Sequence, residues 1–265
     1  MFVLLLSFVL LLSACGTSTK ETSGDNKEET KKPLRVVTDA NYAPFEYMDK
    51  GEIVGFDVDF IKAVAKEANV EIEIENVGWD PLFVEIDGEN ADIGMSAITI
   101  NDDRKQTYDF SLPYFLSTNK ILVKEGSDIK GAADLKDKII SVQNGTTGQE
   151  AVEGLLGKNN ENIKKFKNNI LAIMELNSGG AEAVVADNTV VEEYAKNNPK
   201  DKLVVIEDAG SFDVEYYGLM FPKGSALKAD IDKAVKTIFE NGTYAKIYKE
   251  WFGTEPDLEK ITAQH

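Results

Sequence analysis

Short apolar strands alternate with amphipathic helices through most of this chain, and that alternation constrains its fold more than any other feature. Leu34 to Thr38 alternates into a strand. Gly55-Phe56-Asp57 then opens an apolar stripe, Val58, Ile61, Val64, Ala65 and Ala68, at helical spacing. Glu71 to Glu75 alternates acid and isoleucine as a half-exposed strand, and Ala91 to Met95 reads as a buried strand entering the polar turn Ser96 to Asn101. Further strands are predicted at Ile139 to Val142, Ala183 to Ala186 and Leu203 to Ile206, with helices around Gly148 to Leu156 and Ile170 to Asn177. Such an order predicts an α/β architecture with parallel strands.

The clearest helical text lies at the C-terminal end. Ser225 is placed to cap a helix with the apolar face Leu227, Ile231, Val235 and Ile238, and Asn241-Gly242 stops it. Thr243 is placed to cap a second, shorter helix whose face is Tyr244, Ile247, Tyr248 and Trp251; at that spacing the aromatic face reads as core. Two runs of strand and helix are joined near Ser117 to Val123, and the chain returns late through Tyr216 to Phe221. This predicts two α/β lobes joined by two strands, with a cleft between them. The expected boundaries are 33–118 plus 217–265 for one lobe and 119–216 for the other. Ligands of α/β folds bind at the carboxyl ends of strands, so the cleft is expected just after Thr38, Met95, Val142 and Ala186.

Ahead of this lies an apolar run, Met1 to Leu12, too short to span a membrane as a helix and about the length of a signal core. Leu12-Ser13-Ala14-Cys15 resembles a lipobox, at which bacterial lipoprotein precursors are lipidated on the cysteine and cleaved before it. No Lys or Arg precedes the run, although an export signal normally begins positive. Gly16 to Lys32 contains no large apolar residue and cannot bury enough surface to fold. The expectation is a signal peptide over 1–14, then a lipidated Cys15 with a flexible tether over 15–32, holding the protein outside the cytoplasm at the cell membrane. More than one acyl chain, palmitate included, suits stable anchoring.

Composition excludes several chemistries. Twenty-nine basic residues stand against 46 acidic ones, a net charge of −17, so no nucleic acid partner is expected. His265 is the only histidine and Cys15 the only cysteine, so Ser-His-Asp, Cys-His and histidine or thiolate zinc sites have no residues to build them. No metal, no cofactor and no catalysis are expected. Binding becomes the default.

The predicted strand ends carry the candidates. Asp39 and Tyr42 follow the first strand; Ser96, Ala97 and Thr99, with Arg104 close behind, follow the third; Gly145, Thr146, Thr147 and Asp187 follow the later two; Trp79 lies near the second. One Arg, several hydroxyls, two aromatics and separated carboxylates form the set a zwitterion needs. Arg104 suits a carboxylate, Asp187 an ammonium, and Tyr42 with Trp79 serve as walls. Each has an ordinary alternative: Arg104 as a solvated surface charge, Asp187 as a helix cap, Trp79 as core, Gly145 to Gly148 as a turn. Their joint placement favours a site.

Thr38 to Glu46, Gly55 to Asp59, Ile98 to Lys105, Asn241 to Tyr244 and Trp251 to Gly253 resemble, in order, the extracellular solute-binding proteins (family 3) of polar amino acid ABC importers. Val77 to Phe83, Val142 to Glu150 and Glu215 to Gly218 are most similar to the branch that binds basic amino acids, arginine above all, with lysine and histidine. The resemblance implies the two-lobed periplasmic-binding-protein-like fold. Its partners would be a free amino acid and the membrane permease of an importer, and it would act as a monomer. It further implies a ligand carboxylate against Arg104, Thr99 and the Ala97 backbone, with Thr147 facing it, and an ammonium at Asp187 near Ser96. The side chain would lie between Tyr42 and Trp79, with its distal end at Asp39 or Gln143. Glutamine is the alternative ligand, and a dehydratase-type enzyme on the same fold is the alternative of another class.

Overall fold

The computed structural model describes residues 32–265; the signal segment, Cys15 and the tether up to residue 31 lie outside the described residues. Two larger sheets organise the chain. The first has strand order Ile72–Asn76, Leu34–Thr38, Ile93–Gly94, Met220–Pro222, Tyr108–Phe110; its first three strands run parallel and Met220–Pro222 pairs antiparallel. The second has order Ile163–Phe166, Ile140–Gln143, Ala183–Asp187, Phe115–Lys124, Leu203–Ile206, again with a parallel half and an antiparallel half. The α/β expectation holds, and the antiparallel strands are the ones that carry the chain between lobes or bring it back.

Each lobe has its own apolar core. In the first, the helix Phe56–Ala68 buries Phe56, Val58, Phe60, Ile61 and Val64 and packs on Leu227–Glu240 and Thr243–Phe252. The aromatic face of the last of these is core, as expected: Tyr244 and Tyr248 meet the ring of Phe56 edge-on. In the second, Ile121, Val123, Ile140, Val142, Val152, Ala183 and Val185 pack together. The strand Phe115–Lys124 belongs to both, with Phe115 in the first core and Ile121 and Val123 in the second. Val214–Tyr217 returns beside it antiparallel, Val214 opposite Thr118 and Tyr217 opposite Phe115.

Three local expectations are corrected. The strand expected over Ala91 to Met95 is only Ile93–Gly94, because the Ala91 N–H is taken by the Glu85 carbonyl at the end of the preceding helix. Thr243 does not cap its helix: Gly242 occupies that position, and the side chain of Asn241 accepts from the Thr243 N–H at 3.0 Å. Ser225 stands one residue before the N-cap Ala226, its hydroxyl 3.3 Å from the Leu227 N–H.

Two carboxyl groups are buried where the first helix begins. Gly55 makes this approach possible: with φ at 143°, a Cβ there would lie 1.9 Å from the Phe45 carbonyl oxygen. Glu46 and Asp57, both fully buried, are thereby brought together. Glu46 Oε1 accepts from the Ser96 hydroxyl at 2.8 Å, while Asp57 Oδ2 accepts from the Ala97 N–H at 2.9 Å and from Tyr114 Oη at 2.7 Å. Their other oxygens, Glu46 Oε2 and Asp57 Oδ1, have no hydrogen-bond partner, which a proton shared between the two groups would supply. Burial, then the charge of Asp57, pushes Glu46 well above the ordinary carboxyl range, and burial pushes Asp57 up to about 6. The pair thus anchors the turn at Ser96-Ala97, where Ala97 holds a left-handed φ of 45°.

A group whose pKa rises on folding contributes stability that is complete below its unfolded pKa, near 4 for a carboxyl, and is lost as pH rises through its folded value. Between pH 4 and 8 the unfolding free energy of the wild type should therefore fall relative to that of Asp57→Asn, by on the order of 1 to 3 kcal/mol. Urea titrations of both proteins across that range check this; parallel curves would show that the pair shares no proton.

Candidate functional site

One cavity between the two sheets gathers residues from both lobes. Its volume is about 20 Å³, and it is lined by Tyr42, Trp79, Ser96, Ala97, Thr99, Arg104, Gln143, Thr146, Thr147 and Asp187. Nine of the ten residues to which the resemblance gives a role are in that lining. Asp39 is not: it lies behind it, 3 % exposed, with Oδ1 accepting from Asn41 at 2.9 Å. Burial raises the Asp39 carboxyl above its usual range, against the pull of the Asn41 and Gln143 amides and the charge of Lys167.

The helix Asp102–Thr107 sets Arg104. Asn101 caps it by accepting the Arg104 N–H at 2.8 Å, which turns the side chain back toward the sheet end. Arg104 Nη1 donates to the Thr99 carbonyl at 2.9 Å and Nη2 to the Gly145 carbonyl of the other lobe at 3.2 Å. Its guanidinium carbon stands 5.5 Å from the ring centres of both Trp79 and Phe83, which meet edge-to-face at 4.8 Å. Arg104 is thus a stacked, desolvated cation whose burial lowers its pKa, with Glu150, Glu215 and Asp187 opposing the shift. Trp79 does more than wall a ligand: it holds this guanidinium by cation–π attraction, worth roughly 0.5 to 2 kcal/mol.

Asp187 ends the strand Ala183–Asp187 and stands at the N-cap of the next helix, yet its side chain makes no capping bond. Instead Oδ2 accepts from Tyr42 Oη at 2.5 Å and from Tyr217 Oη at 2.6 Å. Burial raises its pKa, and the two tyrosine hydroxyls and Arg104 restrain the rise. The bond from Tyr42 ties the lobes together across the cleft. On the neighbouring strand of the same sheet, the loop after Ile140–Gln143 becomes the helix Thr147–Leu156, capped by Thr146. This places Thr147 beside the cavity.

Strand-end reasoning listed Thr146 without giving it a role, and it missed Phe83 and above all Glu215. Glu215 belongs to the middle of the return strand Val214–Tyr217, so no loop marks it, although it opens the motif Glu215 to Gly218. Its Oε2 accepts from Thr99 Oγ1 at 2.6 Å and Thr147 Oγ1 at 2.9 Å, one from each lobe, and its Oε1 accepts from Asn119 Nδ2 at 2.6 Å. Burial, then the charge of Asp187, pushes it up to about 7. Chemically the site offers one fixed cation, two hydrogen-bonded carboxyl groups and several hydroxyls in a nearly closed space. His265, the single histidine, lies against the Pro113 carbonyl and is not in the lining. Among the described residues no group of three or more His, Cys, Asp or Glu is arranged to hold a metal ion, and no helix is long and apolar enough to cross a membrane.

Residues 34–254 match the model of the bacterial extracellular solute-binding proteins, family 3. A probable histidine-binding protein of Neisseria gonorrhoeae is 41% identical over 93% of this chain and 92% of its own length. The arginine-binding extracellular protein ArtP of Bacillus subtilis (strain 168) is 33% identical over 92% and 93%. Among solved structures, the arginine-, lysine-, histidine-binding protein ArtJ from Geobacillus stearothermophilus superposes with a TM-score of 0.86 at 56% identity, covering 87% of this chain and all of that one. With the family model spanning both sheets and the cleft between them, this chain belongs to the bacterial extracellular solute-binding proteins, family 3.

Proposed function

We propose that this protein captures a free amino acid with a cationic side chain, arginine foremost and lysine or histidine beside it, by closing its lobes around it. It then delivers the ligand to the permease of an ABC importer, without catalysing a reaction. The observation that carries this reading is the charge balance of the cleft: Arg104 is the single cation in the lining, while the carboxylate of Asp187 lines it and that of Asp39 lies behind. A ligand with one negative and two positive groups offsets that excess, and a buried charge without a partner costs several kcal/mol. The names of the relatives favour the same class, since those proteins bind histidine, arginine, or arginine, lysine and histidine.

In this reading the ligand carboxylate takes Arg104 and Thr99 with Thr147 opposite, displacing the Arg104 bonds to backbone carbonyls. The ammonium takes Asp187 beside Ser96, and the Ala97 backbone completes the near wall. The side chain runs between Tyr42 and Trp79 toward Gln143 and Asp39. The lobes are taken as 33–118 plus 217–265 and 119–216, bending at the paired strands Phe115–Lys124 and Val214–Tyr217. The protein acts as a monomer. Calorimetric titration of the purified protein with arginine, lysine, histidine and glutamine tests this. Arginine should bind tightest, Arg104→Ala and Asp187→Ala should each weaken every amino acid by about 2 to 5 kcal/mol, and Asp39→Asn should weaken arginine far more than glutamine. Glutamine binding tighter than arginine, with Asp39→Asn affecting both alike, is the outcome that transfers the assignment to glutamine; no heat with any of the four sinks it.

We also propose that Cys15 is lipidated and holds the folded part at the outer face of the cell membrane, the motivating features being Leu12 to Cys15 and the polar stretch after them. Cys15→Ser should leave amino acid binding intact and move the protein from the membrane fraction to the medium or the soluble extracytoplasmic fraction. An unchanged membrane fraction refutes the anchor alone.

A further inference from the structure

Glu215 is a carboxyl group in a place where the amino acid site needs an anion of its own. The hydroxyls of Thr99 and Thr147 reach into the cleft from opposite lobes, and both donate to the same oxygen, Glu215 Oε2, at 2.6 and 2.9 Å. Arg104, the one cation of the lining, is fastened to the carbonyl of that same Thr99. An incoming carboxylate drawn to Arg104 therefore arrives among donors already committed to Glu215. Each hydroxyl has a single proton to give, so the two carboxylates cannot both use these donors. They would also be two like charges in one desolvated space, with Asp187 a third.

Glu215 has no free path to relieve this by swinging away. It belongs to one of the two strands that join the lobes, its neighbours Val214, Tyr216 and Tyr217 paired with Thr118, Leu116 and Phe115, and its Oε1 is held by Asn119 Nδ2 at 2.6 Å. Only taking a proton removes the conflict, because a neutral carboxyl can donate a hydrogen bond to the ligand's carboxylate instead of competing with it. The charged and titratable groups facing it are Arg104 from the helix Asp102–Thr107, Asp187 at the end of its strand, Tyr42 and Tyr217 bound to Asp187, and Glu150 on the helix that carries Thr147. Asp187 keeps two tyrosine donors and is the partner for the ligand's ammonium, so it stays ionised. Glu215 is the group left to change charge.

We propose that Glu215 is a further residue of the ligand site and that it takes up a proton when the amino acid binds, so that capture of the ligand is coupled to proton uptake. This rests on the amino acid reading above. The ligand-free carboxyl sits at about 7, so near neutral pH about half of the molecules must be protonated to bind, and at pH 8 about nine in ten must, by the fraction of the competent form. The affinity for L-arginine should then be level below about pH 6 and weaken by about tenfold by pH 8. Arginine keeps the same charge throughout that window.

The test is calorimetric titration of the full chain with L-arginine in buffers of different ionisation enthalpy, at pH 6 and at pH 8. The expected result is an observed heat that depends on the buffer at pH 8, corresponding to close to one proton taken up per ligand, and is nearly independent of it at pH 6. Glu215→Gln, which keeps the size of the side chain and an oxygen acceptor for the hydroxyls, should bind with buffer-independent heat and with an affinity that is flat from pH 6 to 8. At pH 8 it should bind about tenfold tighter than the wild type. Wild-type binding with no proton uptake, or with proton release, overturns the role of Glu215 while leaving the amino acid reading in place. The same uptake persisting in Glu215→Gln assigns the proton to another group and overturns it too. Absence of any heat with arginine, lysine, histidine or glutamine removes the amino acid reading, and this proposal with it.

Discussion

The whole arrangement hangs on one short antiparallel ladder, Phe115 to Thr118 against Val214 to Tyr217. These are the strands through which the chain passes between sheets, and besides them Val190 of the second lobe packs into the first core. A ribbon of this kind bends more readily than either core deforms. It also runs beside the cleft, and the residues it carries are therefore at once structural and chemical: Tyr217 stacks on Phe115 at 5.4 Å in the first core while its hydroxyl donates to Asp187 of the second lobe. Glu215, two positions earlier, holds a threonine of each lobe.

Closure concentrates charge that water would otherwise screen. Arg104 gives one donor bond to each lobe, to Thr99 and to Gly145, and rests between Trp79 and Phe83. The carboxyl groups answer in three different ways: Asp187 with tyrosine hydroxyls, Asp39 with amides, and Glu46 and Asp57 with the Ser96 and Tyr114 hydroxyls and the Ala97 N–H behind the wall. Each group is satisfied by neutral donors in preference to an ion pair. Neutral donors can be surrendered to a charged ligand with less penalty than a salt bridge, since no opposite charge is left behind without a partner.

Much of this could be read before the fold was seen, for reasons that particular residues make clear. Leu34 to Thr38 and Leu203 to Ile206 are short, largely apolar runs and are strands over those same residues. The cleft residues follow such strands, so knowing where strands end was enough to find Tyr42, Ser96, Thr99, Thr147 and Asp187. Arg104 was visible because it stands close behind the polar turn that follows the third strand. Other features depend on contacts between distant segments and leave no local pattern. Glu215 lies within a strand, Phe83 is one apolar residue of a helix, and the stacking of Trp79 on Arg104 joins two separate elements. Asp39 was placed in the right loop, but which way its carboxylate faces depends on Asn41 and on the approach of Gln143 from the other lobe. The caps failed for a smaller reason: serine, threonine and asparagine accept from backbone N–H groups at several offsets, and Asn241 did what Thr243 was expected to do.

Gly145 has a consequence of its own. It holds a φ of 72°, and a Cβ at its position would come to 3.3 Å from Trp79 Nε1 on the opposite lobe. The distance to which the lobes shut is therefore set partly by a carbon atom that the chain does not have. In a receptor that binds by shutting, observed affinity is the product of the grip of the shut form and the fraction of molecules that reach it. Gly145 acts on the second factor, through a surface that any side chain would wedge apart. Families of such receptors can thus range over weak and strong capture of one and the same ligand while every group that touches it stays unchanged.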